Sequence, residues 1–356
     1  MNTTDKPTPA TGALPATTGA ATIDSMAAIA VSERRQAALR ILNTSPVYMG
    51  AVLIAIFIAF SCVNASAFLS TGNLQNIALD ASTFLVMAVG TTYLMIAAGL
   101  DLSVGSVLVF ANVIAAKAMG WVGGNGLEPV LIGLLAGLAA GAVWGLFNGL
   151  CVTKLRVPPL ITTLGTLGAA LGVADLLTSG NDIRTVPTSL ITFGTETFLG
   201  LSWIVWIAVA IALIGGLFLH LTQFGRHTYV IGSNTEAARR AGINVDRHLL
   251  KLYTISGMTA GLAGFLALAQ FASTTISGHS TDVISVITGV VLGGTSLFGG
   301  YGWMIGTVIG ILIPAALNDG FVIANVQSFW QQVATGFILI GAVYLDQLKR
   351  RSRERA

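Results

Sequence analysis

The sequence predicts an all-α polytopic membrane protein with about ten transmembrane helices, some broken or re-entrant, and with both termini cytoplasmic. Three observations lead there. Of 356 residues, 54% are hydrophobic and only 9% charged, far from the averages of soluble chains. About ten apolar runs of membrane length or close to it follow one another, and Lys and Arg gather at their ends. The 42 glycines suit helices that approach closely in lipid, where small residues govern packing.

Residues 1–45 are rich in Thr, Ala and Pro and cannot bury a core, so they read as a mostly disordered cytoplasmic tail. A short amphipathic helix from Ser25 to Leu42 is compatible with that composition. The first apolar run, Val47 to Leu69, starts too late and runs too long for a signal core, although Asn64-Ala65-Ser66-Ala67 resembles a cleavage site. Arg34, Arg35 and Arg40 ahead of it place the N-terminus inside.

Further runs lie at 77–98, 102–119, 129–152, 159–178, 201–222, 250–272, 284–298, 303–324 and 329–346. A span needs about 20 residues, so the two shortest, near 102 and 284, are expected to be partial or re-entrant helices. Counting from a cytoplasmic N-terminus puts three basic segments inside: Lys154 with Arg156, Arg226 through Lys251, and Lys349 through Arg355. The loop at 179–200, with Asp182, Arg184 and Glu196, falls outside and has no basic excess. The chain therefore divides into the tail at 1–45, a transmembrane domain at 46–346 and a basic cytoplasmic tail at 347–356.

The most highly charged interior segment runs from Phe224 to Lys251. Within it, Thr235 to Ala241 can form about two helical turns. Asn234 or Thr235 is a good N-cap, Glu236 sits where the dipole favours an acid, and Gly242 is a natural stop. The same composition argues against several chemistries. Cys62 and Cys151 lie in apolar runs, and His220, His227, His248 and His279 are scattered, so neither a disulfide framework nor a metal site finds support. No lysine follows a glycine, so there is no phosphate loop for ATP. The net charge of +3 is explained at membrane boundaries and needs no nucleic-acid partner.

Glu236-Ala237-Ala238 with Gly242 resembles the EAA-type pattern by which permeases of ABC importers dock onto their ATPase, and Gly242-Ile243-Asn244-Val245 is similar to the ribose, xylose and arabinose type of sugar permease, within the branched-chain-amino-acid/sugar permease superfamily. The likeness continues in Gly99-Leu100-Asp101-Leu102-Ser103-Val104-Gly105-Ser106, in Asn148-Gly149, in Leu155-Arg156-Val157-Pro158-Pro159 and in Thr162-Thr163-Leu164-Gly165-Thr166. It extends to Gly289 through Gly300, to Asn318 with Gly320, and to Gln331 with Gly336, so that it covers about 45–346. The resemblance implies a non-enzymatic permease subunit in a bacterial plasma (inner) membrane, importing a monosaccharide or polyol. It also implies ATP and Mg on a partner ATPase, with no cofactor on this chain. The implied partners are that ATPase, an extracytoplasmic sugar-binding protein, a second permease subunit and the lipid bilayer.

ATPase coupling is then expected of Thr235, Glu236, Ala237, Ala238, Arg239, Arg240 and Gly242, although the two arginines equally suit orientation or lipid contact. Polar residues in or beside spans form the pool for a substrate pathway: Asp101, Ser103, Asn148, Thr162, Thr163, Thr295, Ser296, Asn318 and Gln331. Each also suits a bridge between helices, and Asp101 suits capping of the next helix more than ligand contact. The two Gly-interrupted segments, around Asp101 and from Gly289 to Gly300, fit either a shared pathway or close packing.

The sequence departs from the family pattern at three places. Leu171-Gly172 replaces the usual Arg-Gly, Val283 follows Asp282 where a Glu is usual, and Thr335 replaces a common Lys. Substrate identity therefore stays open among sugars, with autoinducers, nucleosides and branched-chain amino acids as alternatives. An ion-coupled secondary transporter would call for paired intramembrane carboxylates, and Asp80, Asp101, Asp175, Asp282 and Asp319 form no obvious pair. A membrane enzyme would need a catalytic constellation, and the sequence offers none with convincing context.

Overall fold

A computed structural model describes residues 45–279 and 282–354. The expected N-terminal tail and its amphipathic helix lie outside the described residues. The chain divides into a unit Met1–Tyr48, of which only the first turn of one helix is described, and a large unit Met49–Ala356.

Among the described residues the structure is helical apart from one two-residue hairpin. The helices are α1 (Ser45–Phe68), α2 (Thr71–Ile96), α3 (Val104–Val122), α4 (Leu127–Thr153), α5 (Pro159–Thr178) and α6 (Thr188–Thr195). After strands β1 (Thr197–Phe198) and β2 (Leu201–Ser202) come α7 (Trp203–Leu221), α8 (Gln223–Ser233), α9 (Thr235–Arg240) and α10 (Val245–Phe271). The chain ends with α11 (Asp282–Leu292), α12 (Met304–Ile323) and α13 (Ser328–Glu354). Among the described residues eight helices are long and apolar enough to cross a membrane: α1, α2, α3, α4, α5, α7, α10 and α12. Exposed Trp121, Trp203 and Trp330 stand at or near helix ends, as interfacial anchors do.

The two runs expected to be partial part company. The run near 102 is a full helix of 19 residues, Val104–Val122, which reaches three residues beyond the apolar run. Lys117 extends its ammonium to the carbonyl of Leu177 near the end of α5 (2.8 Å), which lets a charged residue ride within an apolar helix. The run near 284 does break. Its helix stops at Leu292, and non-helical chain continues to Met304. The run at 329–346 lies within α13, which continues as helix through most of the segment read as a basic tail.

Helices α2, α3 and α10 are the most buried of the spans, whereas α1 has few fully buried residues and packs on the core through such half-buried side chains as Phe57 and Phe60. The tightest joint is between α4 and α10. Gly133, Gly137, Gly141, Gly145 and Gly149 recur every fourth residue along α4, so they share one helix face. A Cβ on Gly141 would lie 2.1 Å from the carbonyl oxygen of Gly257, and one on Gly257 would lie 2.1 Å from that of Gly141. No side chain fits there, and backbone meets backbone, as in other small-residue crossings in lipid. The α11–α12 joint follows the same rule, since a Cβ on Gly310 would come 2.1 Å from the Gly289 carbonyl oxygen.

Candidate coupling and translocation site

The charged segment between α7 and α10 folds as two short helices meeting at one residue. Asn234 closes α8, its amide donating to the Val230 carbonyl (3.1 Å), and it opens α9, its side-chain oxygen accepting from the Ala237 amide (2.9 Å). At the other end Gly242 takes φ +82°. Its amide donates to Arg239 O and that of Ile243 to Ala238 O, the paired bonds of a Schellman stop. Thr235, Glu236, Ala237, Arg239, Arg240 and Gly242 are exposed, while Ala238 is fully buried and holds the knob down.

Glu236 pairs with Arg240 one turn on (3.7 Å), with both side chains largely in solvent. Arg239 and Arg156 both reach Asp246 at the start of α10 (3.6 and 3.0 Å), so the link between α4 and α5 is tied to α9 through one carboxylate. Beside α9 lies a recess of about 400 Å³ whose lining includes His227, Arg247 and Lys251. An acidic surface suits it.

Helix α8 joins this knob to the two Gly-interrupted segments. The amide of Gly300 donates to Ile96 O at the end of α2 (2.8 Å), and a Cβ on Gly300 would meet Ser233 at 2.8 Å. The Tyr229 hydroxyl donates to Gly302 O (2.7 Å). Burial, and secondarily Tyr301, push its phenol up to about 12, which keeps it a donor at neutral pH. The chain at the end of α2, just before the Asp101 segment, and the 293–303 segment thus meet directly, against α8. Thr295 is fully buried, and a Cβ on Gly302 would meet its Oγ1 at 2.8 Å. Ser296 shapes the turn, its amide donating to Tyr301 O (3.0 Å) and its hydroxyl accepting from the Phe298 amide (3.3 Å).

Asp101 does not cap the first amides of α3. It sits two residues before the N-cap, Ser103, and at that helix its Oδ1 accepts from the Ser103 amide (2.9 Å) and hydroxyl (2.6 Å). Oδ2 accepts from Ser256 on α10 (3.2 Å), and Asn148 on α4 donates to the Ser103 hydroxyl (2.8 Å). The Tyr253 hydroxyl donates to Leu100 O beside them (3.2 Å). All of these residues are buried, apart from half-buried Leu100, and the carboxylate is engaged by three donors, so the cluster fastens α4 and α10 to the α2–α3 link. Ser256 and Tyr253 were not singled out in the sequence. The signal was there in Gly257 and Gly261, which mark the same face of α10 as a close joint.

Thr162 and Thr163 lie near the start of α5, both buried. Thr163 donates to Pro159 O (2.9 Å), and the Thr162 hydroxyl has no partner among the described residues. Asn318 and Gln331 do come together. They line one cavity of about 240 Å³ between α11, α12 and α13, with Asp282, Ser285, Gln332 and Thr335. It lies beyond the end of α10 opposite the one that adjoins α9, about 40 Å away by the rise of 27 helical residues. The nine pathway candidates are therefore distributed among four places, and Asn318 and Gln331 share a cavity.

Comparison with known proteins bears on what this architecture does. Residues 73–343 match the family described as branched-chain amino acid transport system / permease component. The ribose import permease protein RbsC of Escherichia coli (strain K12) is 35% identical over 305 residues, 84% of this chain and 93% of that protein. The D-allose transport system permease protein AlsC of the same strain is 32% identical over 298 residues, 83% of this chain and 90% of that protein. The autoinducer 2 import system permease protein LsrC of Klebsiella pneumoniae (strain ATCC 700721 / MGH 78578) is 33% identical over 306 residues, 85% of this chain and 86% of that protein. No solved structure matches. With its membrane-length helices, its capped knob and this match over most of its length, the chain belongs to the branched-chain amino acid transport system permease family and is a multi-pass membrane transport subunit.

Proposed function

We propose that the chain is the membrane pathway of an ATP-driven importer for a monosaccharide, delivered by an extracytoplasmic binding protein and moved by a partner ATPase. The observation that carries the reading is α9, a six-residue helix capped at both ends, exposed on most of its surface and held by one buried alanine. Such a knob has no role within the chain that a plain loop would not fill, and it fits a groove on another protein. The ribose and allose names of two relatives support the sugar class. The autoinducer relative favours a second reading with the same machinery and a different solute.

In this reading both termini and α9 face the cytoplasm, the membrane is the bacterial inner membrane, and two permease copies work together. Closure of the ATPase on nucleotide moves α9. The elbow at Asn234 passes the motion to α8, and Ser233, Tyr229 and Gly232 pass it to the 293–303 segment and the end of α2. The coupling works only if nucleotide binding discriminates between two permease states, which a rigid contact of this kind allows.

The test is uptake of radiolabelled D-ribose, D-allose, D-xylose and L-arabinose by cells with and without the chain. The expected uptake of at least one sugar survives an ionophore that collapses ion gradients and stops when ATP is depleted. Uptake with the opposite sensitivities would make the chain a gradient-driven transporter.

A further inference from the structure

We propose that the cavity between α11, α12 and α13 is a contact site for a neutral, hydroxyl-rich solute, with Asp282, Ser285, Asn318, Gln331 and Thr335 as the groups that read its hydroxyls. The inference rests on the importer reading above and goes further, since it gives the solute a place on this chain. Three helices converge on the cavity, and six of its lining side chains are polar. Its volume, about 240 Å³, is below the roughly 300–1,000 Å³ of sites for drug-sized ligands and suits a single small ring.

The chemistry of the lining is selective. Two hydroxyls and three amides line it beside a carboxylate. The Thr335 hydroxyl donates to Gln331 O (2.9 Å) and the Gln331 amide to Val326 O (3.4 Å), so Thr335 offers a sugar hydroxyl its lone pairs and Gln331 its side-chain oxygen and second amide hydrogen. Asp282 is held in place. Its Oδ2 bonds His279 Nδ1 (2.7 Å), and both side chains are nearly buried, which fixes the carboxylate while a carboxylate's roughly four acceptor sites leave room for a ligand. Among the described residues no Lys or Arg lines the cavity, and Asp282 in the first turn of α11 offsets that helix's positive end. A carboxylate or phosphate solute would enter without a counter-ion, whereas a neutral polyol would not need one.

The location agrees. In the importer reading α9 faces the ATPase, and the cavity lies beyond the opposite end of α10, on the side where a binding protein would release its cargo.

The test uses the full chain in its own membranes. In the uptake assay, Asn318→Leu and Asp282→Asn are expected to lower sugar uptake at least tenfold at unchanged membrane abundance, with Gly336→Ala as a neutral control. Separately, Thr335→Cys in a Cys62→Ser, Cys151→Ser background is labelled with a membrane-impermeant maleimide. Excess of the transported sugar should slow labelling at least threefold, and L-leucine should not. Undiminished uptake in both variants overturns the assignment. Lost uptake with no protection of the cysteine also overturns it, because the residues would then act through packing. Protection by L-leucine overturns the solute class. If wild type imports none of the four sugars, the functional reading fails and this site falls with it, a result distinct from failure of the site alone.

Discussion

Asp101 and Asp282 are both carboxylates close to the start of a helix in the membrane, yet their surroundings differ. Asp101 is 2% exposed and takes three hydrogen bonds from Ser103 and Ser256, in a joint where α4 and α10 touch backbone to backbone. Asp282 is held by His279 and borders a cavity lined by side chains of α11, α12 and α13. The first region uses its polar groups to fasten helices. The second borders a cavity with polar groups, whose own bonds, such as that of Thr335 to the Gln331 carbonyl, are local to one helix or its approach. A carboxylate buried in a protein is costly unless engaged, so the difference separates scaffold from working surface.

The sharpest way to break the contrast is to place the same large side chain on both sides. Gly141→Leu puts a side chain where a Cβ alone would stand 2.1 Å from the Gly257 carbonyl, and the helices must part. A loss of about 3 kcal/mol or more is expected, read as a collapse of thermal stability in detergent. On α13 a Cβ at Gly336 meets nothing within 4 Å, and Gly336→Leu is expected to leave the melting temperature nearly unchanged. Equal damage at both positions would mean that α13 is as tightly covered as α4.

The next effect in size belongs to Asp101. Asp101→Ala leaves the Ser103 and Ser256 donors without their acceptor and is expected to cost about 3 kcal/mol, and Asp101→Asn, which keeps an acceptor for the Ser103 amide, about half of that. Thermal unfolding of the two variants checks the order. A smaller loss for Ala than for Asn would show that the carboxylate is not a fastening.

Much of this was legible beforehand, and the reasons are physical. Composition and apolar runs marked the spans, because lipid demands long stretches without charge. The knob was legible from Asn234, Glu236 and Gly242, since caps are local chemistry that needs no tertiary partner. What stayed hidden depends on distant residues. Nothing near Asp101 in sequence points to Ser256 or Asn148, and nothing near Asn318 points to Asp282 or Thr335. The sequence did mark the positions of Asp282 with Val283 and of Thr335 as departures from the family pattern, and Asp282 and Thr335 turn out to line the one cavity that also holds Asn318 and Gln331. Lys117 lies inside the run read at 102–119, and only the structure shows the carbonyl of Leu177 that receives its ammonium.

A smaller effect sharpens the comparison further. Asn318→Leu should lower thermal stability by less than about 1 kcal/mol, because the side chain faces a cavity and fastens no helix. The smallest change is Gly336→Ala, which has room for its methyl and exchanges glycine for a better helix former, a gain of up to about 1 kcal/mol. A loss at Gly336→Ala would place a neighbour against that face of α13.

The most direct measurement is co-purification of wild type and a Glu236→Arg variant from native membranes, with identification of the bound subunits and assay of their ATPase activity. Glu236 is two-thirds exposed and bonded only to Arg240, so the substitution leaves the fold alone and alters the face that α9 presents. The expected result is an active ATPase bound to wild type and lost from the variant, with both permeases equally abundant. Wild type that purifies without any ATPase and still moves solute in liposomes would contradict the claim that this chain is driven through α9.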